Sequence, residues 1–345
     1  MILVLSEADV VQALSVADGV RLVEQALTEH ASGGGIAMPR ISADLPGTAG
    51  AFRVMSAIVP NLGFFGLKTL TGFPGRRTVG ETYFVILLFS CDNGALRAMI
   101  AGNQLTGIRT GAATGVAARH LARPDAHVLG VIGAGVQARY QVAALREVRP
   151  LTEVRVYDVD AVKAAAFARQ IEAEQRVAAH PVATAREAVA ECDLVVTITT
   201  AKTPVLDGQW IEAGAHVTGA GSNTPTKCEL DAVAFQRSTL VVDFREQALK
   251  EAGDLQQALR SGAITEDAIY AEIGEVLTGR KAGRTSERQI TLFKSVGMAI
   301  EDLATASFAY QQALAMGLGT YVELDANPAA LHAGGTAVAA GPITS

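Results

Sequence analysis

Val131-Ile132-Gly133-Ala134-Gly135-Val136-Gln137-Ala138, preceded by His127-Val128-Leu129-Gly130, is the stretch that decides how this chain is read. An apolar strand runs into two glycines one residue apart and then into a helical pattern. In such a turn Gly133 allows the sharp passage from strand to helix, Gly135 lets a pyrophosphate come against the backbone, and the small Ala138 lets the helix pack on the strand. The phosphates then lie on free N–H groups at the helix N-terminus, around Val136 and Gln137. A glycine turn alone is weak evidence for a nucleotide, so its flanks must carry the rest.

Downstream, Glu153-Val154-Arg155-Val156-Tyr157-Asp158 alternates like a second strand and ends in a carboxylate. Asp158 stands 25 residues past Gly133, near the roughly 20 expected of the residue that accepts hydrogen bonds from the adenine ribose. A carboxylate there repels a 2′-phosphate, so NAD(H) is expected, with NADP(H) as the alternative. The competing reading is a solvated turn aspartate, because Asp158-Val159-Asp160 opens a loop. Asp193-Leu194-Val195-Val196-Thr197-Ile198 and Leu240-Val241-Val242-Asp243 continue the strands, with helical patterns between them. Apolar strands alternating with helices predict an α/β, Rossmann-type doubly wound parallel sheet.

The composition fits this class. A chain of 345 residues buries a large core and makes two domains. The net charge of −6, with no long basic block, gives no reason to expect nucleic acid or an anionic membrane. Cys91, Cys192 and Cys228 are odd in number and lack any Cys-x-x-Cys pair, which predicts reduced thiols and neither a disulfide framework nor a metal site. Met1 to Ser6 is too short and too acidic in its surroundings for a signal sequence, and no stretch has the length to span a bilayer. A cytoplasmic protein is expected, with a weakly ordered tail of small residues from Ala333 to Ser345.

Some 120 residues precede the first cofactor strand, so a second, α+β unit is built first. Ser6 to His30 reads as two helical pieces, the second capped by Asp18. Strands are expected at Phe52–Ser56, Phe64–Leu70, Thr82–Phe89 and Leu96–Ile100, with a hairpin turn at Cys91-Asp92-Asn93-Gly94. A helix from Thr106, capped by Thr106 or Thr110, runs to Leu121. The helical pattern from Met298 to Gly317 is expected to return to the first unit, giving residues 1–122 with 300–345 for substrate and dimerisation, and 123–299 for the dinucleotide. Glu272, Arg280 and Arg284 read as structural charges.

Four segments combine into a wider likeness: Arg53 in Phe-Arg-Val-Met-Ser, Lys68 in Gly-Leu-Lys-Thr, Arg109 in Leu-Thr-Gly-Ile-Arg-Thr-Gly, and Gly219 to Leu230. With Ile290 to Leu303, they resemble the ornithine cyclodeaminase/mu-crystallin family along nearly the whole chain. The resemblance implies a homodimer with its active site in the cleft facing the nicotinamide. It places Arg53, Lys68 and Arg109 on the carboxylate of a small amino or imino acid. A guanidinium offers that group a planar fork, while an ammonium can also donate a proton. For each of the three the bland alternative is a solvated strand residue, weakest for Lys68, the only charge between Leu62 and Phe73.

The resemblance also puts Thr82, Arg109, Thr200, Gly221, Ser222 and Ser295 on the cofactor and Val296 on the substrate; Thr82 and Thr200 could equally satisfy nearby backbone. One departure matters: Asn223 stands where cyclodeaminases of the family carry an aspartate thought to act on the amine. An amide cannot take up and release a proton as a carboxylate can. An imine reductase needs less, since hydride goes to a C=N carbon and Lys68 or water supplies the proton. The expected function is therefore an NAD(P)H-dependent reductase of a cyclic or linear α-imino acid, such as a Δ1-pyrroline-2-carboxylate-like ketimine. Ornithine cyclodeamination, and a mu-crystallin-like ligand-binding protein without important turnover, are the alternatives.

Overall fold

The computed structural model describes residues 1–73 and 82–324; the small-residue tail expected from Ala333 onward lies outside them. In chain order the first layer contributes β1 (Ile2–Leu5), α1 (Glu7–Ala13), α2 (Val16–Ala31), β2 (Ile36–Ala37), β3 (Ile41–Asp44), β4 (Ala51–Val59), β5 (Phe64–Gly72), β6 (Thr82–Ser90), β7 (Leu96–Ala101) and α3 (Asn103–Leu121). The second layer begins with β8 (Val128–Ile132), α4 (Ala138–Val148), β9 (Glu153–Tyr157), α5 (Ala161–Gln175), β10 (Ala178–Pro181), α6 (Ala185–Val189), β11 (Leu194–Thr197) and β12 (His216–Gly219). It continues through α7 (Ala232–Arg237), β13 (Thr239–Val242), α8 (Arg245–Glu251), α9 (Gly253–Arg260), β14 (Ile269–Glu272), α10 (Ile273–Leu277) and β15 (Thr291–Lys294). Then α11 (Ala299–Met316) and β16 (Thr320–Val322) return to the first layer.

The second sheet is wholly parallel, in the order β10-β9-β8-β11-β12-β15-β13-β14. This is the Rossmann-type arrangement expected from the glycine turn. Its order reverses between β8 and β11, and in such sheets the ligand crevice lies outside the carboxyl ends at that switch. β11, β12 and β15 are buried along their whole length, as strands covered on both faces must be. The insertion of β15 between β12 and β13 cannot be read from local pattern, since it joins strands more than forty residues apart.

The first sheet is largely antiparallel, in the order β16-β1-β7-β6-β5-β4-β2, with β3 also on β4. One face carries Met55, Ala57, Lys68, Ile86, Leu88 and Ile100, all buried beneath α1, α3 and α11. The opposite face presents Val54, Ile58, Leu67, Val85, Leu87 and Met99, with Phe65 stacked on Phe89 at 5.3 Å. That face is apolar yet lies partly open, Tyr83 and Met99 being 48% and 42% exposed.

Several local expectations change. Asp18 is not the cap of α2: Ser15 is, its hydroxyl accepting from the Asp18 N–H, because the helix starts three residues earlier. α3 begins at Asn103 with neither threonine capping it. Its first N–H groups, on Asn103 and Gln104, donate instead to the Glu7 carboxylate of α1, both at 2.8 Å, a tertiary cap with no local signature. The short strands β1, β2, β3 and β16 were not anticipated. Glu272 caps α10, Arg280 donates to the Ala31 carbonyl, and Arg284 donates to the carbonyls of Leu121 and Ala215, so all three are structural as expected. None of the described helices is long and apolar enough to cross a membrane, and no cluster of metal-ligating side chains occurs among the described residues.

Candidate active site

The loops at the carboxyl ends of the parallel strands meet the inner face of the first sheet, and the charged groups gather there. After β8, Gly133 has φ +107°, and a Cβ on it would stand 2.6 Å from the Ile198 carbonyl oxygen; the fold itself demands glycine. Gly135 is different. A Cβ there would meet nothing within 4 Å, so packing does not explain its missing side chain, whereas room for a pyrophosphate does. Val136 is 75% exposed at this turn and Gln137 leads into α4. The residues present fit a dinucleotide.

Asp158 follows β9, as the sequence suggests, and is more than a solvated turn residue. One carboxylate oxygen accepts from the Ala134 N–H at 2.8 Å and the other from the Asp160 N–H at 2.9 Å. It staples the glycine turn to the next strand, and a carboxylate retains acceptor capacity beyond two bonds.

Thr200 is exposed beyond β11, while the loop after β12 is organised by Glu229. This fully buried carboxylate accepts from the backbone N–H groups of Thr199, Gly221 and Ser222 and from the Thr197 hydroxyl. Ser222 also donates its hydroxyl to the Lys227 carbonyl. The N–H groups of Gly221 and Ser222 and the Ser222 hydroxyl are thus engaged within the protein, the hydroxyl also accepting from the Asp254 N–H of α9. Asn223 follows, its Oδ1 accepting from Lys227 Nζ at 3.0 Å.

After β15, Ser295 donates its hydroxyl to Asp243, and the N–H groups of Val296 and Gly297 donate to the same carboxylate oxygen at 2.6 Å. Val296 itself is 4% exposed and packs in the core of the second layer. Its side chain packs among apolar neighbours there, and its carbonyl accepts from Arg40.

The first layer supplies the cations. Lys68, with no exposure of its side chain, donates to Asp302 Oδ1 at 2.6 Å. Arg109 donates from one terminal nitrogen to Glu301 at 2.9 Å, and its Nε lies 2.9 Å from the same Asp302 oxygen. A Cβ on Gly297 would approach Arg109 to 2.4 Å, so this cluster abuts the end of β15. Burial, reinforced by Arg109, pushes the Lys68 ammonium down to about 7 against the pull of Asp302. Burial raises Glu301 to about 7, although Arg109 opposes the shift. Glu301 Oε1 and Asp302 Oδ2 are buried without a hydrogen-bond donor, which fits a ligand that brings N–H groups. Thr82 opens β6 on this same inner face, paired across from Gly72.

Three residues here were not singled out from the sequence: Arg40, Glu301 and Asp302. Arg40 has a side chain only 5% exposed, pairs with Glu251 at 2.6 Å and donates to the carbonyls of Val296 and Gly297. It spans the two layers close enough to lower the Lys68 ammonium further. Arg53 shares the inner face but not the cluster. Its cross-strand partners are Leu70 and Ser42, and the charges that it influences are Arg40, Lys227 and Glu251.

The arrangement has close counterparts among known proteins. The profile of the ornithine cyclodeaminase/mu-crystallin family matches residues 2–317. The structure of Δ1-pyrroline-2-carboxylate reductase from Thermococcus litoralis, in complex with NADH and L-proline, superposes with a TM-score of 0.91 at 37% identity, covering 93% of this chain and all of the other. An archaeal alanine dehydrogenase dimer with bound NAD superposes at 0.88 with 34% identity, covering 93% and 99% of the two chains. The ketimine reductase mu-crystallin of Rattus norvegicus is 35% identical over 293 residues, 84% of this chain and 90% of that protein.

Proposed function

This chain belongs to the ornithine cyclodeaminase/mu-crystallin family, and we propose that within it the protein is an NADH-dependent reductase of α-imino acids, with amino-acid dehydrogenation as the reverse direction. The observation that carries this reading is the buried cluster of Lys68 and Arg109 on Asp302 and Glu301, set against the loops that end the parallel strands. The bound dinucleotide supplies a hydride. The protein does the rest: Lys68, Arg109 and Arg40 gather positive charge for the α-carboxylate, and Lys68 holds a proton close to its release point near neutral pH. The unpaired oxygens of Glu301 and Asp302 suit the N–H of a protonated imine or amine.

Ornithine cyclodeamination is disfavoured, because Asn223 carries no carboxylate and its carbonyl oxygen is already held by Lys227. The test is NADH oxidation by the purified protein with cyclic ketimines, and with 2-oxo acids plus ammonium, beside an ornithine-to-proline assay. Imine reduction without proline formation is the expected result; proline and ammonia with no net NADH consumption would replace it with the cyclodeaminase.

NAD(H) preference rests on Asp158. Asp158→Ser is expected to raise the NADPH-to-NADH ratio in kcat/KM at least about tenfold, a shift of about 1.4 kcal/mol. The ratio is the readout because loss of the Ala134 contact should weaken both cofactors. An unchanged ratio would reduce Asp158 to a staple of the turn.

The partly open apolar face of the first sheet supports a homodimer, formed by residues 1–122 with 300–345, while 123–299 bind the dinucleotide; an exposed apolar patch of this kind marks an interaction surface. Cytoplasmic residence is supported by three cysteines free of disulfides, two of them buried.

A further inference from the structure

Apart from the substrate cluster, a second ion pair is sealed inside the second layer. Lys294, the last residue of β15, and Asp254, in the first turn of α9, have no exposed side-chain surface, and their Nζ and Oδ2 stand 3.2 Å apart. The Lys294 ammonium also donates to the carbonyl of Gly219 at 3.2 Å, and Gly219, the last residue of β12, is its cross-strand partner. The setting is apolar: a Cβ on Gly219 would meet both Leu230 and the Lys294 stem, and Ala252 and Leu255 flank Asp254 in the core of this layer. Two charges taken from water into such a place are a poor source of stability, since an apolar pair of like volume does as well or better. The pair therefore needs another reason.

That reason lies in what the pair holds. The Asp254 N–H donates to the Ser222 hydroxyl at 3.3 Å, and that hydroxyl donates to the Lys227 carbonyl at 2.8 Å. A Cβ on Gly253 would lie 2.1 Å from the Lys227 carbonyl oxygen, 2.7 Å from that of Thr224 and 2.8 Å from that of Pro225. The loop from Ser222 to Lys227, with Asn223 on it, is thus wrapped over the start of α9, and the Asp254 side chain reaches from there to Lys294, directly before Ser295. At the end of α8, Glu251 holds Arg40 of the first layer at 2.6 Å, and Gln247 donates to the Gly297 carbonyl at 2.9 Å. The junction of α8 and α9 therefore fixes three parts of the cleft to one another: the loop after β12, the loop after β15, and a cation that comes over from the first layer.

We propose that Asp254 and Lys294 are positioning residues for hydride transfer: their buried pair locks the loop after β12 to the end of β15, so that the wall facing the nicotinamide keeps its distance from Lys68 and Arg109. The inference rests on the imino-acid reductase reading and deepens it. An ion pair suits the task because it is directional. Lys294 donates at once to Asp254 and to a backbone carbonyl, which specifies the separation of strand end and helix start, whereas apolar side chains of equal volume can slide. Such precision matters at the reacting end, where a misplacement of about 1 Å costs about 10²-fold in rate. It matters less for affinity, because the glycine turn and Asp158, which serve the other half of the dinucleotide, lie on β8 and β9, outside the contacts of the pair.

The test is the double variant Lys294→Met with Asp254→Val, which removes both charges and nearly keeps the volume, beside Asp254→Asn, which strands the Lys294 charge. In the double variant the unfolding midpoint should stay within about 3 °C of wild type and NADH affinity within about threefold. Single-turnover reduction of Δ1-pyrroline-2-carboxylate should fall by at least about tenfold. Amide hydrogen exchange from Gly221 to Lys227 in the cofactor-free protein should quicken by at least about tenfold. Asp254→Asn should be the less stable of the two variants, because a buried charge has lost its partner. Hydride transfer at the wild-type rate in the double variant overturns the inference, and so does a slower rate with unchanged loop exchange. A midpoint lowered by more than about 3 °C in the double variant makes the pair a plain stability element and overturns it as well. Where the wild-type protein reduces no imine, the reductase reading fails instead, and the pair is then judged by loop exchange and by the emission of bound NADH, which should shift as the nicotinamide loses its seat.

Discussion

Lys68→Met is expected to lower kcat/KM for imine reduction by about three orders of magnitude, within the range that a positioned acid and its charge contribute, while NADH affinity stays close to wild type. The separation follows from the architecture. Lys68 lies on β5 of the first sheet, whereas the glycine turn, Asp158 and the Glu229-braced loop all belong to the second. Methionine matches the volume of the buried stem, and Asp302 keeps Arg109 at 2.9 Å when the ammonium is removed, so the cost of an unpaired buried carboxylate is largely avoided. Fluorescence titration of NADH with single-turnover reduction distinguishes the outcomes. A collapse of NADH affinity would move Lys68 to the nicotinamide side, and survival of the rate would place the proton source elsewhere.

The pH profile reads the same group. Lys68 is depressed to about 7 and Glu301 raised to about 7, and both touch the Arg109–Asp302 pair. Lys68 acts as its protonated form, so the rate should fall as pH rises through about 7, and the limb should flatten in Lys68→Met. Because the two groups share partners, the apparent pKa belongs to the cluster and not to either side chain. A carboxylate arriving at Arg109 competes with the charged form of Glu301 and favours its protonation, so substrate binding and proton uptake are coupled.

Much of this was legible because it is local. The glycine turn, the carboxylate ending β9, the alternation of β4 to β7 and the isolated Lys68 are patterns within a few residues, where strand and turn chemistry leave their mark. What escaped is held by distant pairing. Asp302 meets Lys68 across 234 residues of sequence, and in the sequence Glu301-Asp302 reads simply as acid in the first turn of a helix, the usual answer to its dipole. Arg40 lies in a short strand-poor segment whose importance comes from Glu251 and the end of β15. Likewise the two segments that hold Ser222 and Val296 are each fixed by a carboxylate from elsewhere in the chain, Glu229 for the first and Asp243 for the second, with both side chains buried.

Gly111→Ala and Gly135→Ala should fail in opposite ways, and the contrast tests how the two layers are joined. In α3 a Cβ on Gly111 would lie 2.2 Å from the Tyr140 carbonyl oxygen, and one on Gly107 would lie 2.2 Å from the Tyr140 ring. Arg139 and the Tyr140 hydroxyl reach back to Gln104 on α3. The same contact therefore ties the helix bearing Arg109 to the helix that carries the glycine turn. Alanine gains about 1 kcal/mol of helix propensity at Gly111, but the atom it strikes is backbone and cannot rotate away, so overpacking of about 1–3 kcal/mol or more prevails. Gly111→Ala is expected to lower the unfolding midpoint and, by displacing α4, to weaken NADH binding and hydride transfer together. At Gly135 the added methyl meets no protein atom within 4 Å, so stability should stay within about 0.5 kcal/mol of wild type while NADH affinity falls at least tenfold, a loss of about 1.4 kcal/mol. Thermal unfolding and NADH titration of both variants decide the matter: a Gly135→Ala protein that binds NADH normally would remove the turn from the pyrophosphate site, and a Gly111→Ala protein of unchanged stability would mean that α4 can shift without strain.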